Sequence, residues 1–285
     1  MDPNYALAHT QLGYAYAWTA VQFEENPVLL EGAKQEIGIA EKIDPQLAEI
    51  HVVRAFILWS QYEGQQIEAA IREQRLAQQL DPNGDHIELA AIYYHIGLEE
   101  QAAKEAELAL ERDPTSNYVK QVYVDSYVLT SRPEQGLAAS QRLFNKGPDL
   151  GYYLDMRMLK EAAPLVKQNY ERYPFDASAQ KGRALLLALQ GKHQEAQAAV
   201  PSIVEKAQKS KSYHHLTYDI ARIYALGGNS EKAMEWLRVT VKEGFPCYTL
   251  FLRDSFLDRI RQSPAFIQFM AEMKQRWEGY QREFG

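Results

Sequence analysis

Seven histidines and one cysteine are the side chains of this 285-residue chain with the strongest claim on chemistry. His214 and His215 are adjacent, and imidazole is the commonest metal-ligating side chain. On a helix, however, neighbouring side chains point about 100° apart, so the pair is no ready chelate. No Cys or His stands at a supporting spacing, and Asp219 is the close carboxylate, four residues from His215 on a shared helix face. A polar contact between helices is the expected role, and no metal or other cofactor is expected. His9, His51 and His86 fall in helical segments, where packing or a turn contact accounts for them. His95 and His193 lie near turns and are expected to be solvated. Glu24-Glu25 and Glu99-Glu100 read as solvated helix starts rather than acid/base pairs. Cys247 is read as a small buried side chain rather than a reactive thiol. Being alone it makes no internal disulfide, which fits a reducing compartment. Gly227-Gly228-Asn229 is a helix end and turn, not a phosphate loop. There is no GxSxG elbow, kinase catalytic loop or kinase metal-anchoring triplet. No catalytic residue is expected, and the chain is read as a non-enzyme.

The elements that would position these residues announce themselves through a recurring Asp-Pro step. It occurs at Asp2-Pro3, Asp44-Pro45, Asp81-Pro82 and Asp113-Pro114, with echoes at Gly147-Pro148 and Tyr173-Pro174. The prolines are 42, 37, 32, 34 and 26 residues apart. A period in this range signals a stacked helical repeat. The stretch Asp81 to Pro114 shows one unit. Asp81-Pro82-Asn83 is a turn, because proline disfavours helix at the residue before it. Ile87, Ala90, Ala91 and Tyr94 then fall at helical spacing, Gly97 breaks the helix, and a second helix runs from about Glu99 to Arg112. Ala102, Ala106 and Ala109 line one side of it, where small side chains let helix backbones approach. The same sequence of events leads from Gly13 and Tyr16 to Ala33, Ile37 and Ala40. It recurs from Ala55 and Leu58 to Ala70, Gln74 and Ala77, from Ala184 and Leu187 to Ala196, Val200 and Ile203, and from Ala221 and Tyr224 to Ala233 and Leu237.

This pattern resembles the tetratricopeptide repeat, two antiparallel helices in about 34 residues. The resemblance covers roughly Asp2 to Gly244. It implies an all-α, right-handed superhelical solenoid of about six or seven helix pairs, with residues 1–246 as the array and 247–285 as capping helices continuous with it. The first unit carries about eight extra residues near Glu24 to Leu30, and the second about three, against that period. The segment from Asp149 to Pro174 is short, and its first helix is weakly marked. Near the end, Arg253 to Arg261 suggests a short helix. Ser263-Pro264 supplies an N-cap and a first-turn proline. Phe266, Met270, Met273, Trp277, Tyr280 and Phe284 then form one apolar stripe. A solenoid must seal its last apolar face, so this helix is read as a cap, with self-association as the rival role. The run HHLTYDIARIYALGGNSEKAMEWL and the following EGFPCYTLFLRDSFLDRIRQSPAFIQFMAEMKQRW are similar to the tail of bacterial multidomain proteins. In those, tetratricopeptide repeats follow a Ser/Thr protein kinase or winged-helix domain. The opening Asp2-Pro3-Asn4, a unit-closing step, is read as the start of a C-terminal fragment, with a native capping helix as the alternative.

In this architecture the first helix of each pair lines the inner groove. Counting along those helices places Tyr14, Trp18, Phe56, Trp59, Tyr94, His95, Tyr118, Gln121, Asp125, Lys181, Tyr218 and Arg222 on that lining, with about half expected to pack as core. Tyr, Trp and Arg are the types enriched at binding hot spots. Some tetratricopeptide proteins grip a C-terminal carboxylate with Lys, Asn and Arg on successive first helices. The matching places here hold Thr10, Tyr14, Val52 and Phe56, so an extended peptide or a helix docked through apolar anchors is expected instead. The expected function is a non-catalytic protein-interaction module, the regulatory part of a bacterial signalling protein. The alternative is a small-molecule sensor acting on an upstream domain. Lys plus Arg total 31 against 38 for Asp plus Glu, a net charge of −7, which argues against nucleic-acid binding. No apolar run approaches the ~20 residues of a membrane span, and no signal peptide opens the chain. A cytoplasmic location and a protein or peptide partner are expected, with a monomer favoured.

Overall fold

The computed structural model describes residues 4–22, 26–84, 86–130, 132–144, 150–207 and 213–285. The readings made at Asp2-Pro3, Glu24-Glu25, Gly147-Pro148 and Asp149 lie outside them. Regular structure among the described residues is helical throughout, without a strand. Helices pack in sequential pairs: α1 (Ala6–Gln22) with α2 (Pro27–Ile43), α3 (Ala48–Leu58) with α4 (Ile67–Leu80), α5 (Ile87–His95) with α6 (Glu99–Arg112), and α7 (Asn117–Val128) with α8 (Pro133–Phe144). The weakly marked segment holds α9 (Leu150–Asp155), only 6 residues long, against α10 (Leu159–Arg172). Then come α11 (Ala177–Leu189) with α12 (His193–Lys206), and α13 (Tyr213–Leu226) with α14 (Ser230–Lys242). The chain ends in α15 (Tyr248–Arg253), a short 3-10 helix at Ser255–Ile260 within the span where a short helix was expected, and α16 (Pro264–Phe284). First helices also touch one another from pair to pair: α1 with α3, α5 with α7, and α11 with α13.

Local chemistry explains the punctuation. Asp44, Asp81 and Asp113 each close a helix as its C-cap. Each then turns its carboxylate forward to accept from the backbone N–H two residues on, at Gln46, Asn83 and Thr115. This Asx turn competes with helix continuation, and the proline that follows Asp cannot donate in any case. Helix starts use the same side-chain logic. Ser116, Asp176, Asn229 and Ser263 accept from the backbone N–H three residues ahead. The small residues expected at helix contacts are buried, with Ala33, Ala40, Ala70, Ala102, Ala106, Ala196 and Ala233 all at zero exposure. Gly13 shows why size matters there: a Cβ at that position would lie 3.1 Å from Ile37 Cγ2 and 3.2 Å from the Ala33 carbonyl oxygen.

A polar clasp recurs in the first three pairs. His9 Nδ1 donates to Glu36 at 2.6 Å, His51 Nδ1 to Glu73 at 2.7 Å, and His86 Nδ1 to Glu105. Each clasp joins the first helix, or its cap, to the second helix of the same pair. The expectation of a packing role for these histidines therefore holds.

The C-terminal elements return to the front half of the chain. Phe284 and Tyr280 on α16 enter the same core as Trp59, Ile71 and the apolar residues of α5. The Arg75 guanidinium lies 5.2 Å from the Phe284 ring centre and donates to the Phe284 carbonyl. Trp277 Nε1 donates to the Gly97 carbonyl at 3.0 Å. Gly97 has φ +78°, and a Cβ there would press to 2.8 Å from Thr249 Oγ1, so both backbone conformation and this return contact demand glycine. Arg253 pairs with Glu99 at 2.9 Å. Glu99 is therefore no solvated helix start, unlike the exposed Glu100. On α16 the buried stripe is Phe266, Phe269, Met273, Tyr280 and Phe284, which adds Phe269 to the sequence reading and leaves Met270 and Trp277 half-buried.

Candidate binding cleft and histidine cluster

Six of the twelve expected lining residues are buried: Phe56, Trp59, Tyr94, His95, Tyr218 and Arg222. In the front half the aromatics stack on one another. Trp18 lies against Tyr14, Phe56 and Tyr118 at ring distances of 5.9, 5.6 and 6.0 Å. Tyr118 is 38% exposed, and its hydroxyl donates to the buried Glu88 at 2.8 Å. Deeper in, Trp59 meets His95 edge-on at 5.0 Å, and His95 in turn packs on Phe245 at 5.1 Å. The chain's own rings thus fill the space around these expected lining residues.

Open space persists further along. A cleft of about 410 Å³ is walled by α7, α9, α11 and α13. Asp125, Asp155, Lys181, Asp219 and Arg222 line it, together with Leu129, Leu185 and Tyr218. Gln121 donates to Asp125 at 2.8 Å along the exposed face of α7. A second cleft of about 570 Å³ adjoins the first and shares Ser178, Lys181 and His215 with it. Its rim carries Phe175, 80% exposed, whose ring lies under Lys206 Nζ at 5.5 Å.

Arg222 organises the charge at the floor of the first cleft. It donates to Asp254 at 2.6 Å, Asp155 at 2.8 Å and Asp219 at 3.0 Å. Tyr218 adds a bond to Asp254 at 2.6 Å, and Lys181 pairs with Asp219 at 2.7 Å. The protonation consequences differ by site. Burial pushes the Asp155 carboxyl up to about 6, with Arg222 opposing it. Burial acts likewise on Asp219, but Lys181 and Arg222 together outweigh it and hold that carboxyl below its usual value. Burial also pushes His215 down to about 4, and Cys247, which donates to the Tyr94 carbonyl, up to about 11. The inert reading of the thiol stands.

Two histidine expectations need correction. His95 is buried, not solvated, because α13 and Phe245 cover the end of α5. Its Nε2 lies 2.8 Å from His214 Nε2 and 3.3 Å from His215 Nε2. The supporting histidine absent from the local spacing is thus supplied 119 residues earlier in the chain. Sequence spacing carries no signal for a contact of that separation. His193 is half-buried and accepts from Arg259 at 3.4 Å. No family model matches the chain, and no curated protein matches it in sequence.

Proposed function

We propose that this chain is a non-catalytic binding module, a tetratricopeptide-like solenoid forming the regulatory part of a larger bacterial signalling protein. Its ligand is a short segment of a partner protein, lying in the two joined clefts along α11 and α13. One observation carries this reading: the two clefts meet at Lys181 and together make an elongated site with an exposed aromatic, Phe175, at one end. The inner cleft sets three carboxylates, Asp125, Asp155 and Asp219, against the cations Lys181 and Arg222. A lysine, arginine or amino terminus suits that end. The outer cleft sets Lys181 and Lys206 against Asp176, so it suits an acidic or apolar residue. The filled front half of the inner face argues against a peptide running the length of the array.

Peptide-display selection on the purified chain, followed by affinity measurement, tests this. Enriched sequences carry a basic residue, and Phe175→Ala and Asp155→Asn each weaken them about tenfold, the effect of an ordinary hot-spot contact. Unchanged affinity in both variants overturns the assignment. The small-molecule sensor is a second reading, favoured by the inner cleft alone, whose volume lies in the range of small-ligand pockets. A compound that raises the unfolding midpoint while no peptide is enriched would establish it instead.

A further inference from the structure

The three histidines that meet between α5 and α13 form a constellation independent of the peptide reading. We propose that His95, His214 and His215 bind a divalent transition-metal ion through their Nε2 atoms, with zinc the reference case. The ligand atoms of the three all lie within 4.8 Å of one another.

The tautomer of His95 is set by its neighbour. His95 Nδ1 lies 2.6 Å from the Ala91 carbonyl oxygen, which can only accept, so the proton sits on Nδ1. The Nε2 lone pair then faces His214 and His215. This is the arrangement in which metal-binding imidazoles are usually held, their second nitrogen donating to a carbonyl or carboxylate. Two of the three separations are close to what the task requires, and the His214–His215 separation, within 4.8 Å, has to settle to the same spacing. Two nitrogens on one zinc, each at 2.0–2.1 Å, stand about 3.3 Å apart at the tetrahedral angle. His95 and His215 are already at 3.3 Å. His95 and His214, at 2.8 Å, are at hydrogen-bond distance and must open by about half an ångström. His214 then shifts its proton from Nε2 to Nδ1, so all three ligands coordinate neutral and the step releases no proton.

The surroundings fit a transition metal rather than calcium or magnesium. Three imidazoles and no first-rank carboxylate favour zinc, copper or nickel over the hard cations. Phe245 lies within 5.5 Å, centre to centre, of all three rings, and Trp59 and Tyr94 pack on His95. That shell holds the rings in place and limits water. His215 lines both clefts, which gives the ion a way in and leaves the fourth coordination position facing them.

The test uses the whole chain without a polyhistidine tag, freed of metal by chelator. Titration calorimetry with Zn²⁺ alone should show one ion per chain with Kd of about 1 µM or tighter. Co²⁺ should give the visible absorption of a tetrahedral nitrogen site. Substituting His95→Ala, His214→Ala or His215→Ala should each lower Zn²⁺ affinity roughly 100-fold, while His193→Ala leaves it unchanged. His215 is the least buried of the three, so His215→Ala decides the matter even where the other two fail to fold. No Zn²⁺ binding by the native chain at 100-fold above about 1 µM, or equal binding by His215→Ala, overturns the proposal. Peptide affinities of Phe175→Ala are read separately, so either idea can fail alone.

Discussion

Removal of one ring at the very end of the chain should be felt some two hundred residues away. Phe284 is only 2% exposed although it is the penultimate residue. Its ring sits in the core built by α3, α4, α5 and α6, under Arg75. Phe284→Ala deletes a fully buried aromatic, worth about 1.5–3 kcal/mol in transfer free energy. The cation–π contact adds about 0.5–1 kcal/mol. The gap opens toward solvent at a helix end and can relax, so no full cavity penalty applies. The Arg75 bond to the Phe284 carbonyl involves backbone and remains available. A loss of about 2–4 kcal/mol follows. Urea unfolding followed by circular dichroism measures it. Hydrogen exchange locates it: protection should fall in α4 and α5 as well as in α16. Ile267→Ala on the same helix, where the side chain is 55% exposed, serves as the control and should change stability by less than about 0.5 kcal/mol. A Phe284→Ala protein as stable as the native chain, with α4 and α5 exchange unaltered, would refute the docking. It would restore self-association as the role of the last helix.

Two further outcomes are expected. Gln74 on α4 is fully buried, and neither its amide nitrogen nor its oxygen has a hydrogen-bond partner among the described residues. Gln74→Met keeps the shape and removes the unpaired amide, so the urea midpoint should rise by the equivalent of about 1 kcal/mol or more; a lower midpoint would show that the amide is bonded. Asp155 provides a pH signature. Its folded value of about 6 lies above the ordinary carboxyl value, so the native state holds the extra proton. That contribution is complete below the unfolded value and is lost as pH rises through about 6. Between pH 7 and pH 5 the native chain should gain about 1 kcal/mol relative to Asp155→Asn, after allowance for a side chain 28% exposed. Parallel stability–pH curves for the two proteins would contradict the burial of that carboxyl.

The local architecture was legible because its causes are local. Asp-Pro steps end helices through an Asx turn within two residues, and a helix from Glu99 to Arg112 can be read from alanine spacing alone. Ser263-Pro264 marks the start of α16 for the same reason. The lining was legible only in part. Spacing put Trp59, Tyr94 and His95 among the expected lining residues but could not say that Phe245 and His214 would cover His95. Lys181 and Arg222 were found as lining residues, whereas Asp155, on a helix of 6 residues with little periodicity, was missed. Contacts such as His95 to His214 join residues 119 positions apart. No pattern within one helix pair encodes them.

One signal of the return contact was nevertheless present in the sequence. Helix α5 reads Ile-Glu-Leu-Ala-Ala-Ile-Tyr-Tyr-His, and all nine residues are buried. A helix apolar around its whole circumference must be covered around its whole circumference. Its own partner α6 and its neighbours α4 and α7 cover only part of it. The remainder has to come from elsewhere in the chain, and α13, α15 and α16 supply it. The two polar residues of α5 then acquire a reason. A buried polar group is costly unless bonded. Glu88 is bonded from α7 through Tyr118, and His95 contacts His214 on α13. Each partner comes from a different helix pair. Apolar burial drives the return of the chain onto α5, and the contact of His95 with His214 on α13 helps to fix its register.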